Sequence, residues 1–502
     1  MVSLIHPESH FKEKKAGNLR ASAYHRLRRH WQFINKLMLF EISDHVVYGV
    51  HVYGRYQQDI QFDMASSLYH PNMVSGSYLH DGSGEEPYLK LNGYWDLRPH
   101  KNRIITVTQD VLTTWRDLLN TEDTPADQAS MIYTVNKTSE RVLQKLSLAP
   151  RVRELGLQYS RGWDESIDRK KGYFQPGSKV NESWADVILQ GPFFSVANPF
   201  AKQPNATMRS NEDYTPIDLE ALPADFIPRT SYQPVGSTAD NGDYDKSYTQ
   251  WTDPVTGEKA SARRYFRLAW RQMAAITGVR TLYPAIIPPG AAQISFSAGF
   301  TNFQQLAVTS ALWSSLAVDF LVKSTGVANL HFSFIENLPS GMIFNPAIKN
   351  HLSIRVARLT SLTSAYSPFW KAVTGEEWSM DSPARNAVER NRILCEIDAL
   401  CALGLNISIE ELLIIYKSQF SVLKQYDEKD LFDSNGRKLP KEITKRVSEA
   451  EKAGRLLSPD ELTWPHPQSD VEYTFEPPFA PFDREAELKA AYERFSYLLH
   501  QE

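Results

Sequence analysis

Arginine residues are the side chains of this sequence best suited to binding phosphate, and they fall into two clusters. One occupies positions 26–29, and the other places five arginines within the eighteen residues 263–280, with no acidic residue among them. A guanidinium holds phosphate oxygens bidentately and stays charged at every physiological pH, and several such contacts supply the sequence-independent part of DNA affinity. A solvated helix face is the alternative interpretation of either cluster. The predicted DNA-binding residues are Arg26, Arg28, Arg29, Arg263, Arg264, Arg267, Arg271 and Arg280.

The second cluster is predicted to lie on a helix over residues 261–278. Phe266, Trp270, Met273 and Ile276 recur at helical spacing and would form the buried face of this helix. The arginines would then point away from the core, where they could face a phosphate backbone.

The first cluster is predicted to lie on a helix that begins after Asn18, whose side chain can cap the first turn. Its apolar face would include Trp31 and would end at Ile34, with the arginines on the opposite side. An apolar strand precedes this helix, and a second strand over Val46–Tyr53 follows it. Residues 1–55 therefore have the β-α-β pattern expected at the end of an α/β sheet.

Three other groups of reactive side chains are weaker candidates for chemistry. His6 and His10 are four residues apart, but they lie in a proline-containing loop with no third ligand nearby, so no metal site is predicted. Carboxylates and lysines over residues 164–171 are better explained as a solvated turn than as a nuclease centre. Cys395 and Cys401 are too few for a disulfide framework or a zinc site.

Composition limits the class of protein further. The chain has 502 residues, 42% hydrophobic residues and a net charge of −4, so a DNA-binding surface would require locally clustered basic residues. The N-terminus is too polar and basic for a signal peptide. No apolar run reaches the roughly 18 residues of a membrane span. These features predict a cytoplasmic protein without a membrane partner.

The order of several segments resembles that in large N6-adenine DNA methyltransferases of restriction-modification and phage-defence systems, including DISARM-like systems. The opening segment is similar to the end of the methylase domain in that family, just after its catalytic Asn-Pro-Pro-aromatic motif. The resemblance covers most of the chain. The segments that carry it include "KAGNLRASAYHRLRRHWQFINKLMLFEI", "LRPHKNRIITVTQDVLTTWRDLL", "LQGPFFSVANPFAKQPN", "DYTPIDLEALPADFIPRTSYQP", "RLAWRQMAAITGVRTLYPAIIPPG" and "NLHFSFIENLPSG".

Two motifs that the resemblance implies are missing from this sequence. The glycine-rich turn that holds S-adenosylmethionine should join an apolar strand to a helix, but the glycine cluster at 80–88 has neither neighbour and is predicted to be a loop. Asn198, Pro199 and Phe200 lack the second proline of the catalytic motif and are predicted to form a turn. Neither catalytic nor cofactor-binding residues are therefore assigned to this chain.

The predicted fold class is α+β. It comprises the C-terminal fragment of an α/β methyltransferase sheet, a mixed target-recognition domain and a helical C-terminal region, and the segment 233–260 is predicted to be an exposed loop. The predicted regions are a methyltransferase tail at 1–60, a mixed middle region at 61–260, a target-recognition domain at 261–345 and a helical region at 346–502.

The resemblance implies that this chain supplies DNA binding and target recognition to a site-specific N6-adenine DNA methyltransferase. Its expected partners are double-stranded DNA and a companion methyltransferase polypeptide that carries the Asn-Pro-Pro-aromatic motif and binds S-adenosylmethionine. The chain alone is expected to be inactive. The alternative is a stand-alone DNA-specificity subunit that serves a restriction nuclease.

Overall fold

The computed structural model describes residues 1–120, 123–210, 212–236, 242–275 and 277–501. Helices and several small sheets alternate along the chain, which confirms the predicted α+β class. The domain boundaries and the methyltransferase origin of the first region stay predictions.

The N-terminal region is built on a five-stranded sheet with the order β1-β3-β2-β4-β7. β3 is antiparallel to both β1 and β2, β4 is parallel to β2, and β7 is antiparallel to β4. Strands on both sides of residue 60 therefore belong to one sheet. The elements are β1 (Val2–His6), α1 (Ser9–Lys12), α2 (Gly17–Tyr24), β2 (Leu27–Ile34), β3 (Val47–Tyr53), β4 (Gln61–Leu68), α3 (Asn72–Leu79), β5 (Lys90–Leu91), β6 (Tyr94–Trp95), β7 (Ile105–Thr108), α4 (Gln109–Leu119) and α5 (Lys137–Ser147).

The helix predicted to run from Asn18 to Ile34 is wrong beyond Tyr24, where α2 ends. The remaining residues form β2, whose two edges are both paired, one with β3 and the other with β4. Trp31 and Phe33 favour a pleated strand as much as a helix, because aromatic side chains pack well on a sheet. The pairing on both edges decides between the two patterns.

The middle region contains a four-stranded antiparallel sheet with the order β17-β16-β19-β8 and several two-stranded ladders. Its elements are β8 (Gln158–Ser160), α6 (Ile167–Lys170), β9 (Phe174–Lys179), β10 (Ile188–Gln190), β11 (Lys202–Pro204), β12 (Tyr214–Pro216), β13 (Thr230–Pro234), α7 (Gly242–Ser247), β14 (Gln250–Thr252), β15 (Lys259–Ser261), β16 (Arg267–Trp270), β17 (Pro284–Ile287), β18 (Ala292–Ile294), β19 (Phe296–Gly299), α8 (Phe303–Ser314), α9 (Leu316–Thr325) and α10 (Phe332–Ile335).

Most described residues of the segment 233–260 are exposed, as predicted, but the prediction of a loop is wrong because short elements lie within it; residues 237–241 lie outside the described part of the chain. α7, β14 and the first residues of β15 lie within this segment. Tyr244, Tyr248 and Trp251 are buried in a small core together with Trp163. These aromatic side chains anchor a segment whose composition otherwise resembles a loop.

The helix predicted at 261–278 is also wrong, and its residue Ile276 lies outside the described residues. Residues 267–270 form β16, which pairs with β17 on one edge and β19 on the other. All four residues are buried, because Leu268 and Trp270 face the main core while Ala269 faces a second cluster. A strand covered on both faces shows no polar side, so helical spacing was a misleading signal here.

The C-terminal region is mainly helical, as predicted. Its elements are α11 (Pro346–Thr360), α12 (Ser367–Thr374), α13 (Ala387–Gly404), α14 (Ile409–Gln419), α15 (Ser421–Lys429), β20 (Leu431–Phe432), α16 (Lys441–Lys452), β21 (Thr463–Pro465), β22 (Glu472–Thr474), β23 (Ala480–Pro481) and α17 (Arg484–Leu499). α14 begins with a capping box, in which Ser408 and Glu411 each accept a backbone N–H. Both cysteines are buried free thiols.

No single helix in the described ranges is both long and apolar enough to cross a membrane. α8 and α9 together meet the length and composition criteria, but they are bent by 63° at Ser315. Ser315 caps α9 by accepting the backbone N–H of Val318, which starts a new helix axis.

Candidate nucleic-acid interface

Arg263 and Arg267, two of the predicted DNA-binding residues, are buried. Arg263 donates to Gly290 O at 2.9 Å and to Asp245 at 2.8 Å. Arg267 is 0% exposed and donates to the Gln293 side chain at 2.6 Å. Burial lowers the pKa of Arg267. These side chains hold strands and loops together, and as folded they cannot reach a phosphate.

Arg280 and Arg271 also act within the fold. The Nε of Arg280 donates to Asp319 at 2.5 Å, and both side chains are buried. Arg271 donates to Phe194 O at 2.8 Å, and its guanidinium lies 4.1 Å from the centre of the Tyr283 ring. Burial lowers the pKa of Arg271 as well.

Arg264 is the one exposed member of this second cluster of five predicted residues. The prediction of a solvent-facing arginine row is therefore wrong. The prediction fails because residues 267–270 form the strand β16, in which the Arg267 side chain points into the interior and not onto a helix surface. Several of these guanidinium groups donate instead to backbone carbonyls outside the strands, including Gly290 O, Phe194 O and Ser314 O.

The first cluster lies at the start of β2 and remains accessible. Arg26 is exposed and Arg28 and Arg29 are half-buried. Arg29 lies 3.4 Å from Asp63, whereas neither Arg26 nor Arg28 has a carboxylate within 4 Å among the described residues. Arg28 instead donates to three backbone carbonyls, including Arg55 O at 2.6 Å.

The fold adds Arg55 and two tyrosines to this cluster, and sequence reasoning missed them. Arg55 is exposed and follows β3 by two residues, next to the first residues of β2. Arg26 lies over the Tyr56 ring at 5.4 Å and Arg29 over the Tyr78 ring at 5.8 Å. No sequence signal brings these residues together, because the pairing of β2 with β3 creates the cluster. We call Arg26, Arg28, Arg29, Arg55, Tyr56 and Tyr78 the basic patch.

Asn198, Pro199 and Phe200 form the predicted turn. Ser195 and Asn198 pair across it, and the Asn198 side chain accepts the Phe200 N–H at 2.9 Å. Phe200 is fully buried against Trp184 and Tyr366, so its ring is unavailable for stacking on a base. The glycine cluster at 80–88 is irregular, as predicted, and follows α3 instead of a strand.

A buried polar network connects the residue before α1 with β2 and β3. Glu8 lies 3.0 Å from His30 and accepts a hydrogen bond from Gln32 at 2.8 Å, and His30 lies 3.1 Å from His51. Although burial favours its neutral form, hydrogen bonds from His30 and Gln32 keep the pKa of Glu8 below its usual value. Burial lowers the pKa of His51 to about 2. Within the described ranges, no group of His, Cys, Asp and Glu is arranged to hold a metal ion.

Comparison with known proteins gives little further information. No protein-family model matches this sequence, and no curated protein matches it. Among solved structures, the type IIG restriction endonuclease BpuSI is similar with a TM-score of 0.29 and 11% identity, over 84% of this chain and 48% of that chain. This chain therefore spans about half the length of the structure it matches. At this TM-score and identity, the match assigns neither a fold nor an activity to the chain.

Proposed function

We propose that this chain is the DNA-binding and target-recognition part of a site-specific N6-adenine DNA methyltransferase in a restriction-modification or phage-defence system. A companion polypeptide would carry the Asn-Pro-Pro-aromatic loop and bind S-adenosylmethionine. The proposal begins with the order of segments, which resembles that of this family. The structural observation that supports it is that β1 has an unpaired edge and exposed apolar side chains.

β1 is an apolar strand with one unpaired edge and two uncovered faces. Among the described strands it pairs only with β3. Val2 and Ile5 are both 58% exposed and Leu4 is 47% exposed, although these side chains alternate between the two faces of the sheet. Such a strand presents free backbone donors and acceptors to another chain. We propose that a strand of the companion polypeptide pairs with β1 and that its helices cover both faces.

The basic patch lies beside the same end of the sheet and supports a role in DNA binding. Arg26 and Arg55 are exposed cations, and Tyr56 presents an exposed ring next to them. Guanidinium groups would neutralise phosphates without reading sequence, and base specificity would come from other contacts.

The test of DNA binding is a gel-shift titration of the full chain with a short duplex at several salt concentrations. Arg26→Ala with Arg55→Ala should weaken binding and should shallow the plot of log affinity against log salt by roughly one unit per lost contact. Lys371→Ala with Lys445→Ala is the matched control, because it also removes two exposed cations. An unchanged slope in the first variant would exclude the basic patch as a phosphate contact.

The test of the companion is a methyl-transfer assay with radiolabelled S-adenosylmethionine. The chain alone should transfer no methyl group to adenine, and addition of a companion that carries the Asn-Pro-Pro-aromatic motif should restore transfer. Activity of the isolated chain would refute the proposal. Activation of a neighbouring nuclease without any methylation would favour the stand-alone specificity subunit.

A further inference from the structure

A cavity of about 610 Å³ lies where the 195–220 segment meets α13, α15 and the β21–β22 hairpin. Its volume falls within the roughly 300–1,000 Å³ typical of small-molecule sites. Neither the basic patch nor β1 contributes to its wall. The cavity therefore requires its own explanation.

Arg390 gives the cavity wall a buried positive charge. It is 9% exposed, and its Nη1 donates to Leu359 O at 2.9 Å and Ala384 O at 2.7 Å. Within the described part of the chain, no carboxylate lies within 4 Å of this guanidinium, and its Nε and Nη2 make no hydrogen bond. Burial lowers the pKa of Arg390 to about 10, which still leaves the side chain charged at neutral pH.

Arg385 adds a second cation without a carboxylate partner to the same wall. Its guanidinium donates to the carbonyls of Leu219 at 2.8 Å, Leu222 at 3.1 Å and Leu362 at 2.9 Å. These bonds fix the side chain, but carbonyl oxygens do not neutralise its charge. Asp381 and Glu389 attract these charges only from beyond 4 Å, so Arg385 and Arg390 leave two cations without a direct counter-ion beside the cavity, where an anionic partner is favourable.

Other cations of the wall are neutralised by acidic neighbours. Arg437 lies 2.9 Å from Glu220, and Lys438 lies 2.5 Å from Asp430. Arg484 likewise pairs with Asp427 at 2.7 Å. Asp218 also lines the cavity; it has no Lys or Arg within 4 Å among the described residues and accepts hydrogen bonds from Ser469 at 2.6 Å and Tyr473 at 2.9 Å. The excess positive charge is therefore local to the part of the wall formed by Arg385 and Arg390.

Aromatic rings line another part of the cavity. Tyr426, Trp464 and Tyr473 belong to its wall, and Tyr426 is 49% exposed. Arg437 lies over the Tyr473 ring at 4.9 Å from its centre, and the Tyr473 hydroxyl donates to Asp218 at 2.9 Å. Aromatic side chains of this kind provide stacking surfaces for a planar heterocycle.

We infer that this cavity binds a free nucleotide. The phosphate would lie beside Arg390 and Arg385, and the base would lie among Tyr426, Trp464 and Tyr473. A nucleotide combines an anion and a planar ring, so one ligand would contact both the arginines and the aromatic rings of the wall. This site is separate from the basic patch and does not depend on the function proposed above.

The experiment is isothermal titration calorimetry of the full chain with AMP, GMP, CMP and UMP, with the matching nucleosides and with inorganic phosphate. At least one nucleotide should bind tenfold or more tightly than both its nucleoside and phosphate, because it alone contacts the arginines and the rings together. Nucleotide binding no tighter than phosphate binding, or no binding at all, would overturn the inference. Displacement of the bound nucleotide by a short DNA duplex would instead assign the cavity to a DNA strand.

Substitutions locate the site. Arg390→Gln should weaken nucleotide binding at least tenfold without changing nucleoside binding, and Tyr426→Ala should weaken both. Arg392→Gln is the matched control, because Arg392 is on the same helix but is 58% exposed and paired with Glu487 outside the cavity. If Arg390→Gln fails to fold, Tyr426→Ala tests the site alone, since its half-exposed ring makes no side-chain hydrogen bond to a described residue. Wild-type affinity in Tyr426→Ala would place the nucleotide elsewhere.

Discussion

Asp319→Ala should cause a large loss of stability, because Asp319 neutralises a buried arginine. Its carboxylate accepts the Nε–H of Arg280 at 2.5 Å, and it also accepts the backbone N–H groups of Thr281 at 2.9 Å and Leu282 at 2.8 Å. Both charged side chains are buried. Alanine would leave a buried guanidinium without its counter-ion and two buried amides without an acceptor.

Removal of one member of a buried ion pair costs about 3–5 kcal/mol. The entropy of unfolding is about 2.1 cal/mol/K per residue, or roughly 1 kcal/mol/K if all 502 residues unfold together. The melting temperature should therefore fall by about 3–5 °C, and by more if a smaller part of the chain unfolds as a unit.

The assay is calorimetric or fluorescence-monitored thermal unfolding of the full chain. Arg280→Met combined with Asp319→Leu removes both charges and should recover part of the loss, because it leaves no buried charge unpaired. Lys445→Ala, an exposed substitution, is the control. A wild-type melting temperature in Asp319→Ala, or a double variant less stable than Asp319→Ala, would show that the pair does not contribute as described.

Two further predictions concern the buried carboxyl group of Glu140 and the exposed strand β1. Burial raises the pKa of the Glu140 carboxyl group from 4.5 to about 7, so the folded chain holds this proton at a higher pH than the unfolded chain does. The free energy of unfolding therefore falls by on the order of 3 kcal/mol as the pH rises from the lower pKa to the higher one. Glu140→Gln lacks this loss, so its melting temperature relative to wild type should rise between pH 5 and about pH 7; a difference that does not vary with pH would contradict the buried carboxylate. Without a companion, the full chain should self-associate through β1 in sedimentation velocity, and Ile5→Lys should be monomeric with an unchanged melting temperature. A wild-type monomer at every concentration would mean that β1 needs no partner.

The C-terminal helices could be predicted because their ends depend on local chemistry. Ser408 and Glu411 are three residues apart, and a capping box needs only that spacing. Asn198 likewise forms its turn through contacts within three residues. Where the contacts that determine a local structure are close in sequence, the residue pattern is sufficient to predict that structure.

The arginine positions could not be predicted, because their environment depends on distant segments. Arg267 is buried by β18 and by Tyr248, and Arg280 is neutralised by Asp319, thirty-nine residues later. A row of arginines at helical spacing normally indicates a solvated face, since burial of an unpaired charge is costly. Only the tertiary structure reveals the carbonyl and carboxylate partners that offset this cost.

The same distant pairings determine where DNA and a companion could meet on this chain. Tyr53 in β3 pairs with Val2 of β1 on one side and with Leu27 of β2 on the other. Arg26 precedes Leu27 directly, and Arg55 follows Tyr53 by two residues, so the basic patch adjoins the end of the sheet at which β1 begins. A companion paired with β1 would therefore lie beside DNA bound at the patch. An interface at this end of the sheet would give the proposed methyltransferase both phosphate contacts and a catalytic partner within one surface, whereas the buried arginines of the second cluster are already bonded within the fold.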